Sequence, residues 1–196
     1  SGGAAYVAVC AARLPERLTF AGIISGMGPL STPDGLRTLP LSRTDRLLAH
    51  IAQRSPRLAC LAAAPIVAHR IDPDRPATLQ RMKHEMALAD MKLLEQPHVA
   101  TTLARDAAEA LRQGRRGVTW DLILYTRPWG FRLDQITAPV YLWHGEADIT
   151  VPPQFGRVIA AAIPGCQATY WPDEGHLMMI SRADQIIGTI AANVAA

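Results

Sequence analysis

The sequence predicts an α/β protein with about three parallel strands and a helical insertion after the first of them. Three observations lead to this fold class. Strand and helix patterns alternate in the last third of the chain, a buried strand pattern stands near its beginning, and only helical patterns lie between. Such alternation is typical of parallel sheets with helical crossovers. We therefore expect three sections, residues 1–30, 31–127 and 128–196.

The first section, residues 1–30, is predicted to hold one buried helix followed by one buried strand. The residues from Ala4 to Leu14 are apolar on nearly all sides, which is typical of a helix covered by other elements. Leu18 to Ser25 is a short, mostly apolar run bounded by glycines. A run of this kind indicates a parallel strand that is buried on both faces.

The second section, residues 31–127, contains no convincing strand pattern. Ser42 and Asp45 form a start signal that resembles a capping box. Further helical stretches are predicted from about Pro76 to Glu95 and from Pro97 to Gln113, and Gly114 is expected to end the second of these. The section is therefore predicted to be a helical insertion.

The third section, residues 128–196, returns to alternating strands and helices. Pro139 to Trp143 and Ala168 to Trp171 are predicted strands, with a helix from Pro153 to Ile163 between them. A terminal helix is predicted from Leu177 to Val194. This order places both strands parallel in one sheet with the first.

Composition and charge exclude several classes of protein. The 196 residues include 20 Lys plus Arg against 17 Asp plus Glu, and the hydrophobic fraction is 49%. Intrinsic disorder needs low hydrophobicity and a high net charge, so it is excluded for the chain as a whole. The longest apolar run, Leu58 to Ala68, is too short to cross a bilayer, and we expect no membrane span.

Neither a nucleic-acid partner nor a disulfide framework is expected. The arginines are scattered, and the cluster from Arg112 to Gly117 has no interleaved aromatic residues. Cys10, Cys60 and Cys166 are widely spaced among apolar neighbours, which favours reduced and buried thiols. We predict a cytoplasmic protein that uses neither a cofactor nor a metal.

Two strand ends carry the residues that indicate chemistry. His144-Gly145-Glu146-Ala147-Asp148 follows one predicted strand, and Pro172-Asp173-Glu174-Gly175-His176 follows the next. Ligands of open parallel sheets bind beyond the carboxyl ends of the strands, so these two turns should face each other. Asp148 could then accept from one ring nitrogen of His176 while the other nitrogen faces a nucleophile.

The sequence Ser1-Gly2-Gly3 supplies a candidate nucleophile. A serine followed by glycine two positions later, and leading directly into a buried helix, corresponds to the second half of a nucleophile elbow. In this interpretation Ser1 is the nucleophile. The backbone N–H of Gly2 points at the developing oxyanion and donates a hydrogen bond to it.

Together these motifs resemble the α/β-hydrolase fold superfamily, in its serine-nucleophile, capped branch of proline-iminopeptidase-like and esterase-like hydrolases. The segments that carry the resemblance are Ser1-Gly2-Gly3, Arg127-Pro128-Trp129-Gly130-Phe131, Ile136-Thr137-Ala138-Pro139-Val140, Leu142-Trp143-His144-Gly145-Glu146-Ala147-Asp148 with Val151-Pro152, Ile163-Pro164-Gly165 and Glu174-Gly175-His176. The likeness covers essentially the whole chain and is most specific from Arg127 to Ile180.

The resemblance implies a function as well as a fold. Ser1 would be the nucleophile, Asp148 the acid, His176 the general base and Gly2 an oxyanion donor, while residues 31–127 would form the helical cap. The implied reaction is hydrolysis of a small ester or amide-like acyl substrate through an acyl-enzyme. In this family several strands and a second oxyanion donor precede the nucleophile, so the chain is expected to be truncated before it.

Other residues could be mistaken for members of the site. Asp34, which follows the first predicted strand, is an alternative acid. Asp173 and Glu174 are close to His176 in sequence, but that does not align them with its ring. A metal site built from His144, Glu146, Asp148 and His176 is disfavoured because the chain turns at Gly145 and no zinc-type spacing is present.

Two other functions remain open at this point. The chain could be a non-catalytic α/β-hydrolase remnant or binding module. It could also be an N-terminal-nucleophile hydrolase, in which the α-amino group of Ser1 serves as the base. Those enzymes use layered sheets, whereas this chain has a helical insertion and residues that resemble a catalytic triad.

Overall fold

The computed structural model describes residues 1–31, 40–41, 43–55, 57–59, 61–62, 86–110, 112–114 and 116–194, apart from the side chains of residues 44, 45, 118 and 122. Four predictions lie wholly or partly outside this part of the chain: the alternative acid Asp34, the cap formed by Ser42 with the Asp45 side chain, the burial of Cys60, and the first part of the helix predicted from about Pro76 to Glu95. In the described part of that stretch, residues 86–87 are not helical and the helix begins at Leu88.

The chain forms a parallel sheet of three strands. These are β1 (Ala21–Ile24), β2 (Val140–Gly145) and β3 (Gln167–Trp171), and they lie in the order β1-β2-β3. Both neighbouring pairs are parallel. The predicted α/β fold class is thereby confirmed, and the carboxyl ends of all three strands meet at one edge of the sheet.

The first strand is shorter than predicted. It begins at Ala21, which pairs with Val140 at the start of β2. Residues before Ala21 have no partner on β2, and Pro15–Arg17 form a single turn of 3-10 helix. The apolar pattern from Leu18 onward therefore extends beyond the part that pairs.

Helices precede, separate and follow the strands. In chain order they are α1 (Ala4–Arg13), α2 (Arg43–Arg54), α3 (Leu88–Leu94), α4 (Pro97–Ala110), α5 (Arg116–Tyr125), α6 (Pro153–Ala162), α7 (Met178–Ser181) and α8 (Ala183–Val194). Residues 57–59 and 61–62 are helical as well. None of the described helices is both long and apolar enough to cross a membrane.

The chain divides into two compact units. The first comprises Ser1–Gly28, Met86–Asp90 and Trp129–Ala196, and it contains the whole sheet. The second comprises Pro29–Glu85 and Met91–Pro128. In the second unit α2 packs against α5, and a small core forms from Ala52, Ala59 and Ile123.

The core of the first unit lies between the sheet and two helices. Helix α1 packs against β1 and α6 packs against β2. Its buried members are Ala4, Ala8, Ala11, Ala21, Ile23, Ile136, Ala138, Val140, Leu142, Ile159 and Ile163. Small side chains at the helical spacing of the three α1 alanines allow the helix backbone to approach the strand closely.

Helix α1 is less buried than the sequence predicts. Only the stripe of Ala4, Ala8 and Ala11 is buried, whereas Tyr6 is 48% exposed. Cys10 is also exposed, and Cys166 is half-buried. The prediction of burial was wrong for Cys10, because α1 covers the sheet with one face only, whereas Cys166 packs partly against the core; both thiols are free.

The predicted terminal helix is two helices. The helical run breaks at Arg182, between α7 and α8. At the break Ser181 Oγ and Arg182 Nε donate to the Glu174 carboxylate at 2.6 Å and 2.7 Å. The continuous apolar pattern of this stretch does not reveal the break. Helix α5 was not assigned from the sequence either.

Candidate active site

Asp148 lies in the turn that follows β2, and its side chain has no exposed surface. One carboxylate oxygen, Oδ1, accepts hydrogen bonds from the backbone N–H groups of Thr150 and Val151 at 2.9 Å and 2.8 Å. The other, Oδ2, lies 2.8 Å from Nδ1 of His176. Oδ1 of Asp148 thus holds its own turn together, and Oδ2 faces the loop that carries His176.

This hydrogen-bonding environment keeps Asp148 ionised. Burial by itself raises the pKa of the carboxyl, but hydrogen bonds from His144, His176 and Val151 outweigh burial and lower the pKa to about 2. An ionised carboxylate can only accept hydrogen bonds, so His176 Nδ1 must carry the proton that joins the two residues.

Acidification is expected to destabilise the fold through this group. The pKa of Asp148 falls from 3.8 to about 2 on folding, so the folded state binds fewer protons than the unfolded state between these values. We expect a loss of about 2 kcal/mol in the free energy of unfolding as the pH falls from about 5 to about 2. Urea unfolding over this pH range measures this loss of unfolding free energy. Parallel curves for the wild type and Asp148→Asn would contradict the prediction.

His176 follows β3, and its side chain is 14% exposed. With Nδ1 bound to Asp148, Nε2 is the ring nitrogen that remains for another partner. Within the described residues Nε2 makes no hydrogen bond. The main-chain oxygen of His176 accepts from Ser25 Oγ at 3.3 Å, and its N–H donates to Asp90 Oδ2 at 2.9 Å. An imidazole held in this way can take a proton from a hydroxyl group that approaches Nε2.

The main chain of Ser1 is held at the carboxyl end of β1. Its amine donates to the oxygen of Ile24 at 2.5 Å, and its carbonyl oxygen accepts from Ala4 and Met27 at 3.2 Å and 3.3 Å. Burial lowers the pKa of this amine to about 6, while the charge of Asp148 acts in the opposite direction. The structure shows no hydrogen bond from the Ser1 hydroxyl to any residue it describes.

Gly2 lies at the N-terminal end of α1, which begins at Ala4 with Gly3 as its N-cap. In the part of the chain that the structure describes, the N–H of Gly2 has no main-chain acceptor. An unpaired N–H at a helix N-terminus is a natural donor to an anion, and the helix dipole adds to the attraction. The position of Gly2 fits its predicted role, which remains a prediction.

His144 lies within β2, where it is fully buried. Its Nε2 donates to the carbonyl oxygen of Val151 at 2.8 Å and lies 3.4 Å from Oδ2 of Asp148. A second ring nitrogen, Nδ1, has no partner among the described residues and faces Gly156, where a Cβ would overlap it. The His144 ring thus holds the turn that carries Asp148, and solvent does not reach the ring.

The other acidic candidates are directed elsewhere. Asp173 is exposed, and Glu174 binds Ser181 and Arg182. Glu146 pairs with Arg157 at 2.5 Å. Among the residues described, no group of three or more His, Cys, Asp or Glu side chains could hold a metal ion.

Comparison with known proteins rests on solved structures, because no protein-family model and no curated protein sequence matches the chain. A thermophilic esterase from Thermogutta terrifontis superposes with a TM-score of 0.58 at 18% identity, over 98% of this chain and 61% of its own. The enol-lactonase of Burkholderia xenovorans superposes with a TM-score of 0.57 at 19% identity, over 100% of this chain and 64% of its own.

A third similar structure is named as an α/β hydrolase. It comes from a deep-sea metagenome and superposes with a TM-score of 0.54 at 12% identity, over 100% of this chain and 63% of its own. The chain has an α/β-hydrolase fold. It spans less than two thirds of the length of each of the three structures.

Two residues of this α/β-hydrolase fold act on His176 but were missed by sequence reasoning. Asp90 lies in a stretch that the sequence marks only as helical, and its main-chain partners are 86 and 87 residues away. Ser25 directly follows β1 and has a φ of 46°, a left-handed conformation that costs a residue with a Cβ roughly 1 kcal/mol. Neither contact can be recognised from the residues near it in the sequence, although Ser25 is part of the predicted strand.

Gly145 allows the two loops of the candidate site to touch. A Cβ at this position would collide with the carbonyl oxygens of Glu174 and Gly175, in the loop that carries His176. We expect Gly145→Ala to lower the free energy of unfolding by about 2–3 kcal/mol, because main-chain atoms must move. It should also separate Asp148 from His176. Chemical denaturation measures the first effect.

Gly188→Ala is the matched control for Gly145→Ala. Gly188 lies in α8, and a Cβ there meets nothing within 4 Å. Alanine in a helix is favoured over glycine, so this variant should gain about 0.5–1 kcal/mol. Equal effects of the two substitutions would show that the Gly145 contact does not matter.

Proposed function

We propose that the protein is a serine hydrolase that cleaves a small ester or amide-like acyl substrate through an acyl-enzyme. Ser1 is the nucleophile, His176 the general base and Asp148 the acid that orients it. The observation that carries the proposal is the 2.8 Å contact between His176 Nδ1 and Asp148 Oδ2. It lies at the sheet edge where the main chain of Ser1 is also held.

The proposed reaction uses each group for one task. Nε2 of His176 takes the proton of the Ser1 hydroxyl as Oγ attacks the substrate carbonyl carbon. The carboxylate of Asp148 stabilises the imidazolium that forms. The N–H of Gly2 and the N-terminus of α1 stabilise the negative oxygen of the tetrahedral intermediate. His176 then protonates the leaving group, and a water molecule activated by the same ring hydrolyses the acyl-enzyme.

The choice of substrate class has two supports. Two of the similar structures are, by name, an esterase and an enol-lactonase. The proposed roles also suit an electrophilic carbonyl, because a general base beside a serine hydroxyl and an N–H donor to an oxyanion together serve acyl transfer. We further propose that the second unit, which lies between β1 and β2 in sequence and is helical where described, serves as the cap over the substrate.

The test is covalent labelling with a fluorophosphonate, followed by mapping of the modified peptide by mass spectrometry. We expect one phosphonylated residue per chain, located at Ser1. Modification at Ser25 instead would overturn the assignment of the nucleophile. No modification of protein that is folded by circular dichroism would overturn the proposed reaction and favour a non-catalytic binding module.

A further inference from the structure

Asp90 is a buried carboxylate that takes no direct part in the proposed reaction. It is the third residue of α3, and its segment, Met86–Asp90, belongs to the first unit. Its exposed fraction is 0%. A polar group without access to water is costly unless neighbouring groups satisfy it, so the partners of Asp90 show what it does.

Both oxygens of Asp90 bind the main chain of the histidine loop, which we define as Pro172–Leu177. Oδ2 accepts from the N–H of His176 at 2.9 Å, and Oδ1 accepts from the N–H of Leu177 at 2.8 Å. Because a planar group holds two successive peptide N–H groups, it restricts the orientation of the chain as well as its position.

The histidine loop is also packed closely against the Asp90 carboxylate. A Cβ at Gly175 would overlap the Asp90 carboxylate, so the loop approaches it as only a glycine can. On the other side of the same loop, Ser25 Oγ donates to the main-chain oxygen of His176. His176 is therefore held at its N–H by Asp90, at its C=O by Ser25 and at its ring by Asp148.

We propose that Asp90 is a positioning residue for His176. It anchors the main chain from which the imidazole projects, and so keeps Nε2 in the direction from which it can take a proton. This inference rests on the proposed function for its kinetic consequence. A displacement of about 1 Å in a catalytic group can cost about 100-fold in rate, so loss of the anchor should slow the chemical step more than substrate binding.

The decisive variant is Asp90→Asn. Asparagine has the same shape, but it retains an acceptor for only one of the two N–H groups and turns its own N–H₂ towards the other. We expect kcat for p-nitrophenyl acetate to fall about 10- to 100-fold with KM little changed. The rate of fluorophosphonate labelling should fall by a similar factor. The amide protons of His176 and Leu177 should exchange with solvent faster than in the wild type.

Tyr141→Phe is the control. It also removes a side-chain hydrogen bond of the first unit, which the Tyr141 hydroxyl donates to Asn193 Oδ1 at 2.8 Å, but it leaves the histidine loop unchanged. We expect it to lower stability and to leave kcat unchanged. If Asp90 acts only on global stability, both variants would lose activity in proportion to their loss of unfolding free energy, and the proposal would be wrong.

Two further measurements separate this inference from the proposed function. In an Asp90→Asn/His176→Ala double variant, the aspartate change should cost nothing beyond His176→Ala alone, because it acts through that ring. Hydrogen exchange of the His176 and Leu177 amides needs neither activity nor a variant. Rapid exchange in the wild type would overturn the anchor, whereas protected amides in a protein that cannot be labelled would overturn only the hydrolase function.

Discussion

Ser1→Ala is expected to lower kcat for p-nitrophenyl acetate by about 10⁴- to 10⁶-fold and to abolish fluorophosphonate labelling. The substitution removes only Oγ, which makes no hydrogen bond to any described residue. The main-chain contacts of Ser1 with Ile24, Ala4 and Met27 all remain possible. Stability should therefore change little, and the loss should lie in kcat. Steady-state kinetics and the thermal midpoint measure the two quantities separately.

Ser55→Ala is a suitable control for the loss of a hydroxyl. Ser55 lies in the second unit, where its Oγ accepts from the N–H of Leu58 at 3.4 Å. It should cost at most about 1 kcal/mol of stability and leave the label in place. His176→Ala identifies the base. Labelling that persists in that variant would mean that the amine of Ser1 takes the proton, as in N-terminal-nucleophile hydrolases.

Asp148→Asn is expected to lower kcat by about 10⁴-fold. An asparagine whose oxygen still faces His176 Nδ1 turns its N–H₂ towards the N–H groups of Thr150 and Val151, which lose their acceptor. If the amide flips, it donates to the histidine ring and favours the wrong tautomer. Either orientation leaves buried donors facing each other, so we also expect a loss of about 2–3 kcal/mol in stability.

Asp173→Asn makes the same chemical change on an exposed residue of the histidine loop. It should leave both kcat and stability near the wild-type values. A small effect of Asp148→Asn, comparable with that of Asp173→Asn, would show that Asp148 does not orient the base. Kinetics at several pH values would exclude a simple shift of the pH optimum as the cause.

Much of the fold could be predicted from local patterns. The strands around Leu142 and Thr169, and the helices that begin at Ala4 and Pro153, occur within a few residues of their predicted positions. Hydrophobic period and flanking proline or glycine residues are properties of a short window. Strand β1 was predicted too long because pairing, and not hydrophobicity, decides where a strand begins.

The candidate site was predictable only in part, for a related reason. Parallel strands bring their carboxyl ends to one edge, so residues that directly follow β2 and β3 must be neighbours. Asp148 and His176 could be found in this way without knowledge of their side-chain geometry. Asp90 could not, because an acidic residue in a helical stretch has the appearance of an ordinary solvent-exposed charge.

The sequence by itself determined the α/β class, the parallel sheet and the two turns that bear an acid and a histidine. The tertiary structure alone decided which groups hold the histidine: Asp148 at the ring, Asp90 and Ser25 at the main chain. Secondary structure follows from interactions among near neighbours in the chain. The burial of Asp90 against a loop 86 residues away exists only once distant segments have packed together.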